Sequence, residues 1–109
     1  MDLAGFPLAV TDWASIEPEH HPGEQGVATW RTRHFADVRV RMVEFSANYL
    51  ADHWCDKGHI VLCLEGELIA QLKDGRTITL APGMSLHIAD HAEAHLIRSV
   101  AGARVFIVD

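Results

Sequence analysis

Hydrophobic and polar positions alternate along much of the chain, which is the pattern of β-strands buried on one face. The clearest case is residues 37–45, where three apolar side chains share one face and Arg39 and Arg41 share the other. Residues 27–35 are rich in the β-branched and aromatic side chains that favour strands. The strands and strand pairs predicted in this way cover residues 27–35, 37–45, 59–68, 69–80 and 104–109.

Turn signals separate these runs. Asp74-Gly75 divides residues 69–80 into two alternating halves, a strong hairpin signal. Residues 81–84 (APGM) are a second turn. Strands of this length at this spacing predict an all-β fold, an antiparallel sandwich or barrel.

Two segments do not alternate. Residues 1–25 indicate an N-terminal arm with little regular structure, which leaves residues 26–109 for the β-barrel domain. Residues 85–100 have some helical character, because His91 and His95 are four apart and would share a helical face. The all-β context favours strand, turn and strand for this segment.

Composition narrows the classes of function. A chain of 109 residues is long enough for one domain and too short for two. The net charge of -6 disfavours nucleic acid or an anionic membrane as partner. No apolar run reaches the roughly 18 residues of a membrane span, and residues 1–13 lack the features of a signal peptide. We therefore expect a cytoplasmic protein with reduced cysteines.

Residues 52–59 (DHWCDKGH) hold three metal-ligating side chains, His53, Cys55 and His59. If residues 51–55 are extended, His53 and Cys55 point to the same side. Residues 56–58 can then turn the chain so that His59 returns to the same point. His95 is the best candidate for a fourth ligand. The alternative interpretation is a polar loop that binds nothing.

These residues resemble the first motif of the cupins, G-(x)5-H-x-H-(x)3,4-E-(x)6-G. His53 and Cys55 stand at the two His positions, His59 stands where the Glu is expected, and Gly66 closes the motif. Residues 82–95 resemble the second cupin motif, with His95 at its His position. The sequence Asp52-His53-Trp54-Cys55 is also similar to the motif of small bacterial cupin-fold proteins of DHCW type.

The resemblance implies an antiparallel jelly-roll β-barrel with a metal in its mouth. Ala47 replaces the first Gly of the first motif and Ser99 the Asn of the second, and each departure weakens the transfer of any specific enzyme chemistry. The ligand substitutions, however, are metal-competent. His87 and His91 are the alternatives if His95 is not a ligand. A solvated or dimer-facing stripe is favoured over an anion clamp for Arg39 and Arg41.

A site of His53, Cys55, His59 and His95 favours Zn²⁺, with Fe²⁺ or Ni²⁺ next. An open coordination position would suit an enzyme that acts on a small polar molecule by dioxygenase, isomerase or lyase chemistry. A closed shell would favour a non-enzymatic metal-binding or sensor protein, and a metal-free structural cupin is a third hypothesis.

A homodimer is also expected. A barrel of this size has sheet edges to cover, and the N-terminal arm is available to cover them. The arm carries apolar side chains that are costly to leave in water: Phe6, Leu8, Val10 and Trp13.

Overall fold

The structure is a computed structural model, and it describes residues 3–109. Strands dominate, and a short 3-10 helix at Trp13–Ser15 precedes them. The strands are β1 (Glu19–Pro22), β2 (Val27–Phe35), β3 (Val38–Phe45), β4 (Tyr49–Leu50), β5 (His59–Gly66), β6 (Leu68–Leu72), β7 (Thr77–Leu80), β8 (Ser85–Ile88), β9 (His95–Ser99) and β10 (Ala103–Val108).

Within residues 3–109 the strands form two antiparallel sheets. One has the order β1-β2-β3-β10-β5-β8 and the other β4-β9-β6-β7. The predicted hairpin is present, with β6 paired to β7 across Asp74-Gly75. Residues 85–100 are strand, turn and strand, as the all-β context predicted. The all-β jelly-roll class is therefore confirmed.

The core lies between the two sheets and follows the alternation of the sequence. In β10, Ala103, Val105 and Ile107 are buried, and the residues between them are half-buried. Cys63 of β5 is fully buried within the same cluster of core residues. Burial of an aliphatic side chain such as Val105 or Ile107 stabilises the fold by roughly 1.5–3 kcal/mol. The packed core therefore holds the two sheets together.

The arginine stripe of β3 faces the interior of the fold, contrary to the expectation of a solvated or dimer-facing stripe. Arg41 is only 5% exposed. Its guanidinium lies 4.3 Å from the ring centroid of Trp30 and donates a hydrogen bond to Asp109 Oδ2 at 2.8 Å. The alternation of β3 was predicted correctly, but its polar face is the interior one. A buried acid and an aromatic ring make that burial tolerable.

The N-terminal arm packs on the outer side of the larger sheet. Trp13 meets Phe106 edge to face at 6.2 Å, and Arg33 donates to Val10 O. Residues Glu19–Pro22 then form β1, which pairs with β2, so the predicted arm contains a strand. The first two residues of the N-terminal arm lie outside the residues that the structure describes. No helix among the described residues is long and apolar enough to cross a membrane.

Candidate metal centre

The segment before β5 is not the extended strand that was predicted. The chain bends at Asp52 and His53, and Cys55 forms an isolated bridge with His95. His53 is 73% exposed at its side chain and donates from Nδ1 to Asp52 Oδ1 at 2.6 Å. The bend therefore separates His53 from Cys55, because alternation relates two side chains only while the backbone stays extended.

Cys55, His59 and His95 come together in the structure. The backbones of Cys55 and His95 exchange two hydrogen bonds, of 2.9 and 2.8 Å, which bring the two residues side by side. Residues 56–58 return the chain to β5, and Cys55 Sγ lies 3.6 Å from His59 Nε2. His59 begins β5 in one sheet and His95 begins β9 in the other. The three side chains therefore meet where the sheets face each other.

The distances suit one metal ion. One ligand atom from each of Cys55, His59 and His95 lies within 4.8 Å of the other two. For tetrahedral Zn²⁺, bond lengths of about 2.3 Å to sulfur and about 2.05 Å to nitrogen give an S···N separation of about 3.6 Å. The separation of Cys55 Sγ and His59 Nε2 is 3.6 Å. Among the described residues, this trio can hold a metal ion, and neither His53, His87 nor His91 belongs to it.

His95 presents an unpaired nitrogen to this cluster. The residue is 1% exposed, and its Nδ1 donates to the carbonyl oxygen of Glu93 at 3.0 Å. Since a carbonyl only accepts, Nδ1 must carry the proton, and Nε2 of the neutral ring keeps its lone pair. Nε2 is buried without a hydrogen-bond partner in the described structure. Burial lowers the pKa of His95, which favours the neutral form that a metal binds.

His59 is oriented by a buried carboxylate. Its Nδ1 donates to Asp109 Oδ2 at 2.8 Å, and the side chain of Asp109 is 0% exposed. Burial alone would raise the pKa of Asp109, but hydrogen bonds from His59 and Arg39 and the charge of Arg41 hold it far below its usual range. A permanent carboxylate at Nδ1 leaves Nε2 as the atom that faces Cys55. This is the arrangement that orients histidine ligands in metal sites.

Asp109 was not singled out in the sequence, although a signal for it was present. Val105 and Ile107 point into the core, so the next residue in phase, two positions further on, is Asp109. An acidic residue in phase with a buried strand face needs a cationic partner. Arg39 supplies it with two bonds to the carboxylate, of 2.9 and 3.0 Å.

A cleft opens beside His59, and its wall does not include Cys55 or His95. Its volume is about 600 Å³, within the range of roughly 300–1,000 Å³ typical of small-molecule sites. His59 and Asp109 both belong to its wall, together with polar side chains from three surrounding segments: Asp37, Lys57, His87 and Asp90. One ligand of the candidate centre therefore borders a space large enough for a small polar molecule.

The comparisons with known proteins agree on the fold. No protein-family model matches the sequence, and the search of curated proteins found no significant match. Among solved structures, the chain is similar to a predicted oxalate decarboxylase from Thermotoga maritima, with a TM-score of 0.77, 14% identity and coverage of 92% of this chain and 96% of that one.

Two further solved structures have a similar fold. Ectoine synthase from P. lautus has a TM-score of 0.74 and 20% identity, over 93% of this chain and 76% of that one. A sugar phosphate isomerase of the cupin superfamily from Silicibacter pomeroyi has a TM-score of 0.70 and 17% identity, over 92% and 74%. The chain therefore has a small cupin fold, and identities this low carry no further inference.

Proposed function

We propose that this protein is a metal-dependent cupin enzyme that acts on a small polar molecule, with Cys55, His59 and His95 as metal ligands. The observation that carries the proposal is the buried, unpartnered Nε2 of His95. A buried polar atom without a partner is costly, by about 1–3 kcal/mol. A metal ion bound beside Cys55 and His59 would remove that cost.

The proposed ligand set is one smaller than the sequence predicted. His53 stays outside it because its side chain is exposed and bonded to Asp52. Three protein ligands would leave a fourth position of a tetrahedral ion open, which is the feature that distinguishes catalytic from structural zinc sites. The cleft beside His59 supports this choice over a closed metal-binding or sensor site.

One thiolate and two imidazoles favour Zn²⁺, with Fe²⁺ or Ni²⁺ as the next candidates. When bound, such an ion would polarise a substrate oxygen or lower the pKa of bound water. The protein's own residues have separate tasks. Asp109 and the Glu93 carbonyl orient the two imidazoles, and Cys55 supplies the negative charge. The names of solved neighbours include a synthase, a decarboxylase and an isomerase, which supports enzymatic chemistry by fold analogy alone.

The test is metal binding by matched variants. We would titrate metal-free protein with Zn²⁺ and with Co²⁺, and compare the wild type with Cys55→Ser, His59→Ala and His95→Gln. Each of these variants should lose at least about 100-fold in affinity, since each ligand supplies a share of the binding energy. Wild-type protein with Co²⁺ should show a thiolate charge-transfer absorption that Cys55→Ser lacks.

Two control variants test which histidines are not part of the metal site. His34→Ala removes a histidine that is exposed on β2 and should bind Zn²⁺ like the wild type. His53→Ala should do the same if the fourth position is open. A loss in His53→Ala as large as that in His59→Ala would mean a closed shell and would favour the non-enzymatic alternative. Wild-type affinity in His95→Gln would reject the site.

A further inference from the structure

Two more buried polar atoms lack partners, and they lie together on β2 and β3. Arg41 Nε and Thr32 Oγ1 are both buried without a hydrogen-bond partner among the described residues. Thr32 and Arg41 are directly opposite each other in the register of the two strands. Paired residues of antiparallel strands project to the same face, with Cβ atoms about 4.5–5.5 Å apart. Two unpaired donors therefore share one stretch of the interior face.

This stretch adjoins the candidate metal centre. Arg41 Nη2 and His59 Nδ1 both donate to the same oxygen, Asp109 Oδ2, each at 2.8 Å. Arg41 is thus one shared carboxylate oxygen away from a proposed metal ligand.

The local charge favours an anion. Arg39 and Arg41 both pair with one carboxylate, that of Asp109, so the two guanidinium groups outnumber the carboxylates bonded to them. Burial lowers the pKa of Arg41 to about 10 in spite of Asp109, and the group stays cationic at neutral pH. A divalent ion with one thiolate would add one more positive charge. Buried charge without a counterion is unfavourable, so an anionic ligand would be stabilised here.

We propose that Arg41 Nε and Thr32 Oγ1 form a subsite for a small carboxylate, beside the metal bound by Cys55, His59 and His95. The position of this subsite beside a metal ion rests on the proposed function, whereas its two hydrogen-bond donors do not. The guanidinium N–H and the threonine hydroxyl donate to the carboxylate oxygens, and Trp30 packs against Arg41 and holds it in place. The substrate class is therefore a small organic acid, in preference to a neutral sugar or alcohol.

The experiment follows the Nε–H resonance of Arg41 in ¹⁵N-labelled protein, assigned by its loss in Arg41→Lys. Acetate is titrated into metal-free and zinc-loaded protein at constant ionic strength, and acetamide serves as the uncharged analogue. We expect a saturable shift with acetate in both forms, tighter with zinc, and none with acetamide. Thr32→Val keeps the shape of the side chain but removes the hydroxyl, and should weaken acetate binding about tenfold.

The controls are Thr79→Val, on the exposed part of β7, and Arg104→Lys, whose ion pair is with Glu65. Calorimetry should show that both control variants bind acetate with the wild-type affinity. The same affinity in Thr32→Val would overturn the subsite, as would equal shifts with acetamide. Binding only to zinc-loaded protein, unchanged in Thr32→Val, would place acetate on the metal and also overturn it. Acetate binding by a protein that binds no zinc would support the subsite while rejecting the proposed function.

Discussion

Asp109 is the residue through which the inner groups of the site are connected. Its carboxylate accepts from Arg39, Arg41 and His59, and its backbone exchanges two hydrogen bonds with Arg39. A lone carboxylate at this depth would be unstable, and so would two unpaired guanidinium groups. The network is therefore stable only as a whole, and removal of its anion should cost more than removal of an exposed ion pair.

The stability of metal-free protein should report this network. The folded-state pKa of Asp109 lies below its ordinary value of 3.8, so the unfolded chain binds the proton more readily. The resulting stabilisation is fully present above about pH 4 and is lost as pH falls toward the folded-state pKa. Asp109→Asn should lower the free energy of unfolding by about 3 kcal/mol at pH 7, and by less at pH 3. Urea unfolding with chelator present measures both.

Asp74→Asn is the matched control for this change. The pKa of Asp74 is also lowered, chiefly by a hydrogen bond from Arg76, but the pair is exposed. The substitution should leave the unfolding free energy nearly unchanged at either pH. If Asp109→Asn behaves like Asp74→Asn, the buried network does not stabilise the fold.

At the scale of elements, alternation predicted the strands that pair along their length and failed where pairing stops. Residues 38–45 and 103–108 are regular because each lies between two neighbouring strands. Residues 52–55 have only the bridge between Cys55 and His95, so cross-strand pairing does not hold the backbone extended at Asp52 and His53, where it bends. That bend separates His53 from the cluster of Cys55, His59 and His95, and no local pattern in the sequence encodes it.

The sequence also could not predict which residues that are far apart in the chain contact each other. The second motif pointed to His95, which lies beside Cys55 and His59, but the bond from His59 to Asp109 joins residues 50 apart. Arg41 looked like a surface residue because charged side chains are exposed in most strands. Its burial depends on Asp109 and Trp30, which the fold brings beside it.

The junction of β5 and β6 gives a prediction at this scale. Gly66 has φ +73°, and a Cβ there would collide with the carbonyl oxygen of Gly102. Gly75, in the hairpin turn, has φ +97° but open space around the Cβ position. Gly75→Ala should therefore cost only the left-handed backbone penalty, about 1–2 kcal/mol. Gly66→Ala should cost at least about 3 kcal/mol, since backbone must also shift.

Denaturant unfolding of the two alanine variants compares them directly. Equal losses of stability would mean that the close approach of Gly66 to Gly102 does not constrain the fold. A larger loss in Gly66→Ala would explain in physical terms why a glycine stands at the end of this motif.

At the scale of the whole molecule, the candidate metal centre and the glycine junction of β5 and β6 lie at opposite ends of the fold. The candidate centre lies where β5 and β9 begin and β10 ends. The glycine junction lies at the opposite ends of β5 and β10, where Gly66 is aligned with Ala103. Substitutions at the junction can therefore alter stability without touching the ligands, and the ligands can vary on a constant frame. Such variation fits a fold shared at 14–20% identity with proteins of different names.

The surface of the arm bears on oligomeric state, and we propose that the protein is a homodimer. Leu8 is 105% exposed and Val10 is 91% exposed, although Trp13 of the same arm packs on Phe106. Apolar side chains held outward on an anchored segment would lose roughly 1.5–3 kcal/mol of unfavourable hydration each when a second copy covers them. Light scattering at micromolar concentration should give about 24 kDa, twice the chain mass of 12.1 kDa. Leu8→Ser with Val10→Ser should shift the mass toward the monomer, whereas Val100→Ser, at an exposed position outside the arm, should not. A monomer mass for the wild type, or a dimer unaffected by the double substitution, would exclude the arm as the interface.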